Sequence, residues 1–461
     1  MSTQTDGADW RFDRDTIETF VFSRCTFDAQ TGIAELGYRF DDSPEFVEVV
    51  TVPGAPFALD AKREQAVNAA LRLLHLIAGV SYYKAAVPKT IIVEGEAIDQ
   101  RTADFLTMVY ENGLGEFAYR NGLQLRGQIQ FPVGDTSEVS AQSLGLRHHA
   151  LVAIGGGKDS LVSIESLRKI GVDQTVTWIG GSQLIRACAE RTGLPTLNLG
   201  RSISPLLFEV NREGAWNGHI PVTAINSAIM TLAAIVLGYD QVVFSNEKSS
   251  SYGSLIEGTG EVNHQWSKGW AFEDAFAAYV QDRIAADLSY YSLLRPLSEL
   301  AVARQFTRTD HYDAHFSSCN RNFHILGERP VNRWCGACPK CHFVFLALAP
   351  FMSKPRLVSI FGRNLLDDET QTAGFDALLE YRDHKPFECV GEGKESRAAM
   401  TALTERPEWQ HDAIVQRFSR EIRPQLSGED LRVSGLLQRS DDAHRIPPAV
   451  AEALFAYWDQ A

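Results

Sequence analysis

Two stretches of the 461-residue chain have residue types at spacings that can do chemistry. The first is Ala153-Ile154-Gly155-Gly156-Gly157-Lys158-Asp159-Ser160, which joins a short apolar run to a helical pattern. Glycines let backbone N–H groups approach phosphate oxygens closely. A helix starting near Asp159 aims its positive end at the same point. The second is Trp334-Cys335-Gly336-Ala337-Cys338-Pro339-Lys340-Cys341-His342, with Cys319 upstream. Four thiolates suit a tetrahedral Zn²⁺ ion. A ferredoxin-type cluster would want a further cysteine near Phe345, and none is there. His342 or His324 can replace a thiol as ligand, and a reduced cluster without metal is the alternative.

Two common nucleotide motifs fail on the glycine-rich loop. A P-loop needs a glycine where Val152 stands and Ser or Thr where Asp159 stands. The dinucleotide fingerprint needs a third glycine at Ser160 and an acid at the end of the next strand, near Trp178. The loop instead resembles the Ser-Gly-Gly-x-Asp-Ser loop of the ATP pyrophosphatase (PP-loop) superfamily. That resemblance implies that Gly155, Gly156, Gly157, Lys158, Asp159 and Ser160 bind ATP, that Asp159 helps hold Mg²⁺ and that Ser160 contacts phosphate. Gly155 departs from the pattern, because Ser usually stands there. The cysteine spacing resembles the zinc site of 7-cyano-7-deazaguanine synthase, another PP-loop enzyme, with Cys319, Cys335, Cys338 and Cys341 as the ligands it implies.

The elements around these motifs read as α/β. Residues 1–135 are expected to form an N-terminal α+β domain: strands near Phe20–Phe22, Ala34–Tyr38 and Phe46–Val52, a helix over Lys62–Gly79 and helical spacing over Thr102–Tyr119. Residues 134–144 are small and polar and read as a linker. Residues 145–350 alternate strand and helix, with strands at Ala150–Ile154, Thr175–Ile179, Thr196–Leu199 and Gln241–Ser245 and a helix over Thr223–Leu237. Such alternation predicts a parallel sheet with helices on both faces, the PP-loop (adenine nucleotide alpha hydrolase-like) fold class by resemblance. Ligands in these sheets sit at the carboxyl ends of strands, where Gly155–Ser160 and Ser245–Ser251 both fall. Residues 351–461 read as a helical C-terminal region, with helices near Ala398–Leu403, Trp409–Ile422 and Pro448–Trp458.

Composition narrows the function classes. The formal net charge is −14, which argues against a nucleic-acid partner, since that binding draws on Lys and Arg. No run reaches the roughly 18 apolar residues of a membrane span. Met1 to Trp10 is polar and acidic and lacks the pattern of a signal peptide. Seven cysteines, an odd count, then point to reduced thiols and a cytoplasmic location. Outside the cluster, Cys25, Cys188 and Cys389 are scattered.

Other segments must choose the substrate, because fold alone does not. Val80–Pro88, Trp216–Thr223, Ser245–Gly253, Glu261–Gly269 and Arg333–His342 closely resemble the ATP-dependent UDP-N-acetylmuramoyl-L-alanyl-L-glutamate epimerase family, and the likeness runs from the Phe20 strand to the Pro448 helix. It implies inversion of the terminal L-Glu of UDP-N-acetylmuramoyl-L-Ala-L-Glu to D-Glu, with ATP becoming AMP and diphosphate, in peptidoglycan precursor synthesis. The chemistry is coherent. A carboxylate's α-proton is hard to remove; adenylation removes the negative charge and gives the enolate oxygen a place to form. Inversion then needs proton delivery on both faces. His264, Lys248, Glu247 and Lys268 are the candidate catalytic groups, with His219 and Glu257 behind them; His264 leads because imidazole titrates near neutral pH. Arg186, Arg191 and Arg201 are candidates for the UDP phosphates. The alternatives are another adenylating PP-loop enzyme, such as an amide or nitrile synthase or a tRNA sulfurtransferase, and an ATP-binding sensor without turnover. Oligomeric state is not legible.

Overall fold

The computed structural model describes residues 10–135, 140–256, 260–322, 330, 333–382, 385–426, 431–440 and 443–459. Glu257 and His324 lie outside them.

The described residues form eleven strands: β1 (Thr19–Asp28), β2 (Ile33–Phe40), β3 (Phe46–Thr51), β4 (Thr90–Val93), β5 (Arg147–Ala153), β6 (Gln174–Ile179), β7 (Thr196–Ser202), β8 (Tyr239–Phe244), β9 (Ser254–Ile256), β10 (Gly260–Val262) and β11 (Ser289–Ser292). Nine of them form one large, mostly parallel sheet in the order β11-β8-β5-β6-β7-β3-β2-β1-β4, while β9 and β10 pair separately. Strands β11, β8, β5, β6 and β7 run parallel, the arrangement that alternating strands and helices produce. Strand β11 adds a fifth parallel strand to the four expected from the sequence.

The sheet crosses between the first 100 residues and the rest of the chain at an antiparallel pairing of β3 with β7, Val49 to Thr51 against Ser202 to Gly200. The segments read as separate domains, residues 1–135 and 145–350, are therefore stretches of chain that share one sheet. An ion pair locks this seam: Arg201 Nε donates to Glu48 Oε1 at 2.7 Å, and Glu48 is fully buried. Breaking such a pair by removing one partner costs about 3–5 kcal/mol, because it strands a buried charge.

Successive side chains of a strand point to opposite faces, and the core divides accordingly. Leu151, Val242 and Tyr290 face one layer, which holds helix α1 (Ala61–Ala78) and the helices Val222–Leu237 and Trp270–Arg283. Val152, Val243 and Tyr291 face the other, built from Lys158–Lys169, Glu299–Phe306, Pro339–Leu348 and Gly393–Thr404. Helix α1 starts where Asp60 accepts from the Arg63 N–H at 2.9 Å, a side-chain cap. Helix Val222–Leu237 is apolar nearly all round because α1 covers its outer side while the sheet takes the inner; fully burying each such Ile or Leu is worth about 1.5–3 kcal/mol. The stretch Thr102–Tyr119, expected as one helix, breaks at Leu114 into Gln100–Gly113 and Gly115–Asn121. Among the described residues no helix is long and apolar enough to cross a membrane.

Candidate active site

Strand β5 has β6 and then β7 on one side and β8 and then β11 on the other. Chain direction across the sheet thus reverses between β5 and β8, and the loops leaving their carboxyl ends diverge to leave a crevice. The glycine-rich loop enters it from β5. Gly156 adopts φ +81°, a left-handed conformation that favours glycine, and a Cβ on Gly157 would meet Ser318 Oγ at 2.5 Å. Gly155 has open space around it, so no steric demand explains glycine where the PP-loop pattern has Ser. The helix Lys158–Lys169 begins with no side-chain cap, leaving its first N–H groups for an anion. Ser160 is buried beside them, its hydroxyl donating to the Gly157 carbonyl at 3.1 Å.

Lys158 turns inward and is buried, its ammonium bonded to Asp159 and to Glu299 at the start of the helix Glu299–Phe306. Burial pushes the Asp159 carboxyl up, but Lys158, Lys340 and Lys268 outweigh it and hold the group below its ordinary value. Other acids behind the loop are shifted the opposite way. Burial, with Glu299 and Glu395 nearby, pushes Glu247 up to about 8, and burial beside Glu299 pushes Glu395 up to about 7. Glu247 caps the turn after β8, accepting from Ser249 Oγ at 2.5 Å and the Ser250 N–H at 3.2 Å. Buried Arg295 clamps that turn, donating to the Glu247 carbonyl at 2.9 Å, the Lys268 carbonyl at 2.6 Å and the Glu273 carboxylate.

The other half of the site gathers around residues 264–268. Lys268 Nζ donates to Cys389 Sγ at 3.2 Å. His264 Nδ1 bonds Glu116, the His264 ring lies near enough to Cys389 for the two charges to act on each other, and the His219 ring packs on His264 with centroids 4.2 Å apart. Lys340 donates to the Cys389 carbonyl. Burial pushes His264 down, but Cys389 and Glu116 outweigh it and carry it up to about 9. Burial takes His219, with the His264 charge beside it, down to about 4.

Of the residues nominated from sequence, the fold brings together the loop Gly155–Ser160, Glu247, His264, His219 and Lys268. Lys248 stands apart: it is exposed, and its Nζ reaches Ser440 Oγ at 3.3 Å. Arg201 lies in the seam with Glu48, Arg186 is exposed and pairs with Glu190, and Arg191 donates to the His311 carbonyl. Sequence reasoning missed Glu116, Arg295, Glu299, Lys340, Cys389 and Glu395. Arg295 and Glu299 left a signal, since each interrupts an otherwise apolar run from Leu293 to Val302.

The four clustered cysteines do converge. Their sulfurs lie within 4.8 Å of one another, with Cys335–Cys341 at 3.8 Å, Cys338–Cys341 at 3.5 Å and Cys319–Cys338 at 4.0 Å. These separations are far too long for disulfides. A tetrahedron of sulfurs about 2.3 Å from a central Zn²⁺ has edges of roughly 3.8 Å, so the quartet can hold a metal ion and is compatible with structural zinc. His342 turns elsewhere, bonding Gln371 at 2.7 Å. The quartet abuts the nucleotide loop, because the Ser317 N–H donates to the Gly156 carbonyl at 2.8 Å.

Comparison with known proteins finds relatives over nearly the whole chain. The family model described as the MurL N-terminal domain matches residues 11–293, and that of the MurL C-terminal domain matches residues 315–432. The chain belongs to the MurL epimerase family. A protein of Xanthomonas oryzae pv. oryzae named UDP-N-acetyl-alpha-D-muramoyl-L-alanyl-L-glutamate epimerase is 70% identical over 445 residues, covering 96% of this chain and 98% of that protein. Proteins of the same name are 41% identical in a Micromonospora species, over 95% of this chain and 98% of that protein, and 42% identical in Salinispora tropica, over 87% and 88%. Both strands of the β3–β7 seam fall inside the MurL N-terminal match.

Proposed function

We propose that this protein inverts the terminal L-glutamate of UDP-N-acetylmuramoyl-L-Ala-L-Glu to D-glutamate at the expense of ATP, releasing AMP and diphosphate. The observation that carries the reading is the meeting, in one crevice, of an anion-receiving helix start with an ionised Asp159 and a separate set of proton-handling groups around His264 and Lys268. The 70% identical relative bears a name with this substrate.

Each half has its part. The open N–H groups of Gly157 to Ser160 receive phosphate oxygens. Asp159 would hold Mg²⁺; its Oδ1 accepts from Lys158, and a carboxylate has a second oxygen for a hard cation. When bound there, Mg²⁺ would supply charge neutralisation for the phosphates. The substrate carboxylate attacks the α-phosphate of ATP and becomes an acyl-adenylate. With its charge gone, the α-carbon can be deprotonated and reprotonated, and water then splits the adenylate to release AMP. Lys268 is the ammonium we assign to offset the enolate charge. Zn²⁺ on Cys319, Cys335, Cys338 and Cys341 would hold the wall formed by residues 317–319 against the loop. We place the reaction in the cytoplasm, where all seven cysteines remain free thiols.

The test is incubation with ATP, Mg²⁺ and the dipeptide substrate in D₂O. The expected product contains D-glutamate carrying α-deuterium, with AMP released alongside. Absence of D-glutamate, or inversion that proceeds without ATP, overturns the reading.

A further inference from the structure

Surroundings divide the seven thiols into three kinds. The quartet sulfurs face one another. Burial pushes Cys25 up, and burial pushes Cys188 up to about 12. Cys389 instead has a cation directly on it, Lys268 Nζ at 3.2 Å from its sulfur, with the His264 charge nearby. Glu116 in turn holds His264 through Nδ1. An ammonium on the sulfur and an imidazole nearby are surroundings that favour a reactive thiolate.

Resting on the epimerase reading above, we propose that Cys389 is a catalytic base of the inversion and takes the glutamyl α-proton from one face of the activated substrate. The sulfur is half-buried, shielded from bulk water without being sealed. Lys268 feels the charges of Cys389, Asp159 and Glu247 together, so the sulfur and the nucleotide loop border one ammonium group. Burial pushes the Cys389 thiol up, but Lys268, His264 and Lys340 outweigh it and hold the thiol well below its ordinary value.

The step balances without an added reagent. A lone pair on Sγ takes the α-proton: the Cα–H bond breaks, an S–H bond forms, and the C–H electrons move into the bond between Cα and the acyl carbon as the acyl oxygen takes the negative charge. An acid on the opposite face supplies the proton for the new Cα–H bond, the carbonyl re-forms, and that acid recovers a proton from water. The Cys389 thiol loses its proton to water, and Lys268 and His264 restore the thiolate.

Cys389→Ala and Cys389→Ser separate this step from activation. Substrate-dependent exchange between diphosphate and ATP reports the adenylate; D-glutamate formation and α-deuterium uptake report proton transfer. Proton transfer is expected to fall on the order of 10³-fold while exchange stays within about threefold. Near-normal inversion in either variant, or equal loss of exchange and inversion with unchanged thermal stability, overturns the proposal. A second measurement uses the unaltered protein. At pH 6, iodoacetamide is expected to modify Cys389 at least about tenfold faster than half-buried Cys25, with ATP and substrate slowing it; equal rates overturn the proposal. Should the unaltered protein give neither exchange nor D-glutamate, the epimerase reading itself fails, and the alkylation result still decides whether Cys389 is a thiolate.

Discussion

The two halves of the crevice solve opposite electrostatic problems. Around the nucleotide loop, four acids (Asp159, Glu247, Glu299 and Glu395) crowd behind a helix start, and burial raises three of them above their ordinary values. Asp159, ringed by Lys158, Lys340 and Lys268, is instead held below its ordinary value. Around Cys389 the balance is reversed, because Lys268, Lys340 and His264 surround one small acid and keep it charged. One region thus sets one acid held low among three pushed high, beside a helix start suited to phosphates. The other sets a thiol held low against an ammonium, with the Glu116 carboxylate behind His264. Burial alone pushes every acid upward; the balance of nearby cations and other acids decides how far each is pulled back.

That contrast can be broken from either side. Asp159→Asn should have the largest effect: AMP release and inversion should fall together, on the order of 10³-fold, since proton transfer follows activation. Inversion that survives loss of AMP release would sever the two halves. Glu116→Gln should act on the thiolate half alone, lowering inversion roughly tenfold while diphosphate exchange holds. It should also drop the His264 titration from about 9 toward its ordinary value, moving the alkaline limb of the inversion rate to lower pH.

Glu247 gives a stability test of the acidic half. Its folded-state value, about 8, lies above its ordinary value of 4.5, so the folded protein keeps a proton that the unfolded chain has lost. Between those values the folded state binds more protons, and stability falls as pH rises, with the contribution gone above about 8. In the nucleotide-free protein, Glu247→Gln should blunt the decline in Tm from pH 5 to 9 by roughly 5 °C. An unchanged slope would show that Glu247 ionises normally. The smallest effect belongs to Lys248→Ala. Its exposed ammonium lies outside both halves, and activity should stay within about twofold. A large loss would extend the site toward Ser440.

Legibility followed sequence locality. Strands β5 to β8 could be read because each is an apolar run ending at glycines or polar turns, and the loop after β5 carries its whole pattern in eight consecutive residues. Strand β11 escaped because Ser289-Tyr290-Tyr291-Ser292 is short and half polar, and its burial depends on β8 beside it. The four-cysteine cluster was visible since three of its thiols fall within seven residues. Cys389 was not, since a thiol's reactivity lies in its neighbours, and Lys268 and His264 are more than 120 positions away. The same holds for Glu116, whose partner His264 arrives from 148 residues on.

The seam between β3 and β7 has a practical meaning for anyone dividing this chain. A fragment starting at the linker would leave β7 with a bare row of N–H and C=O groups and Arg201 without Glu48. A raw strand edge of that kind recruits whatever extended chain is nearby. Such a fragment would collect into aggregates on expression, and adding back the first 135 residues during synthesis, rather than afterwards, would be the way to rescue it.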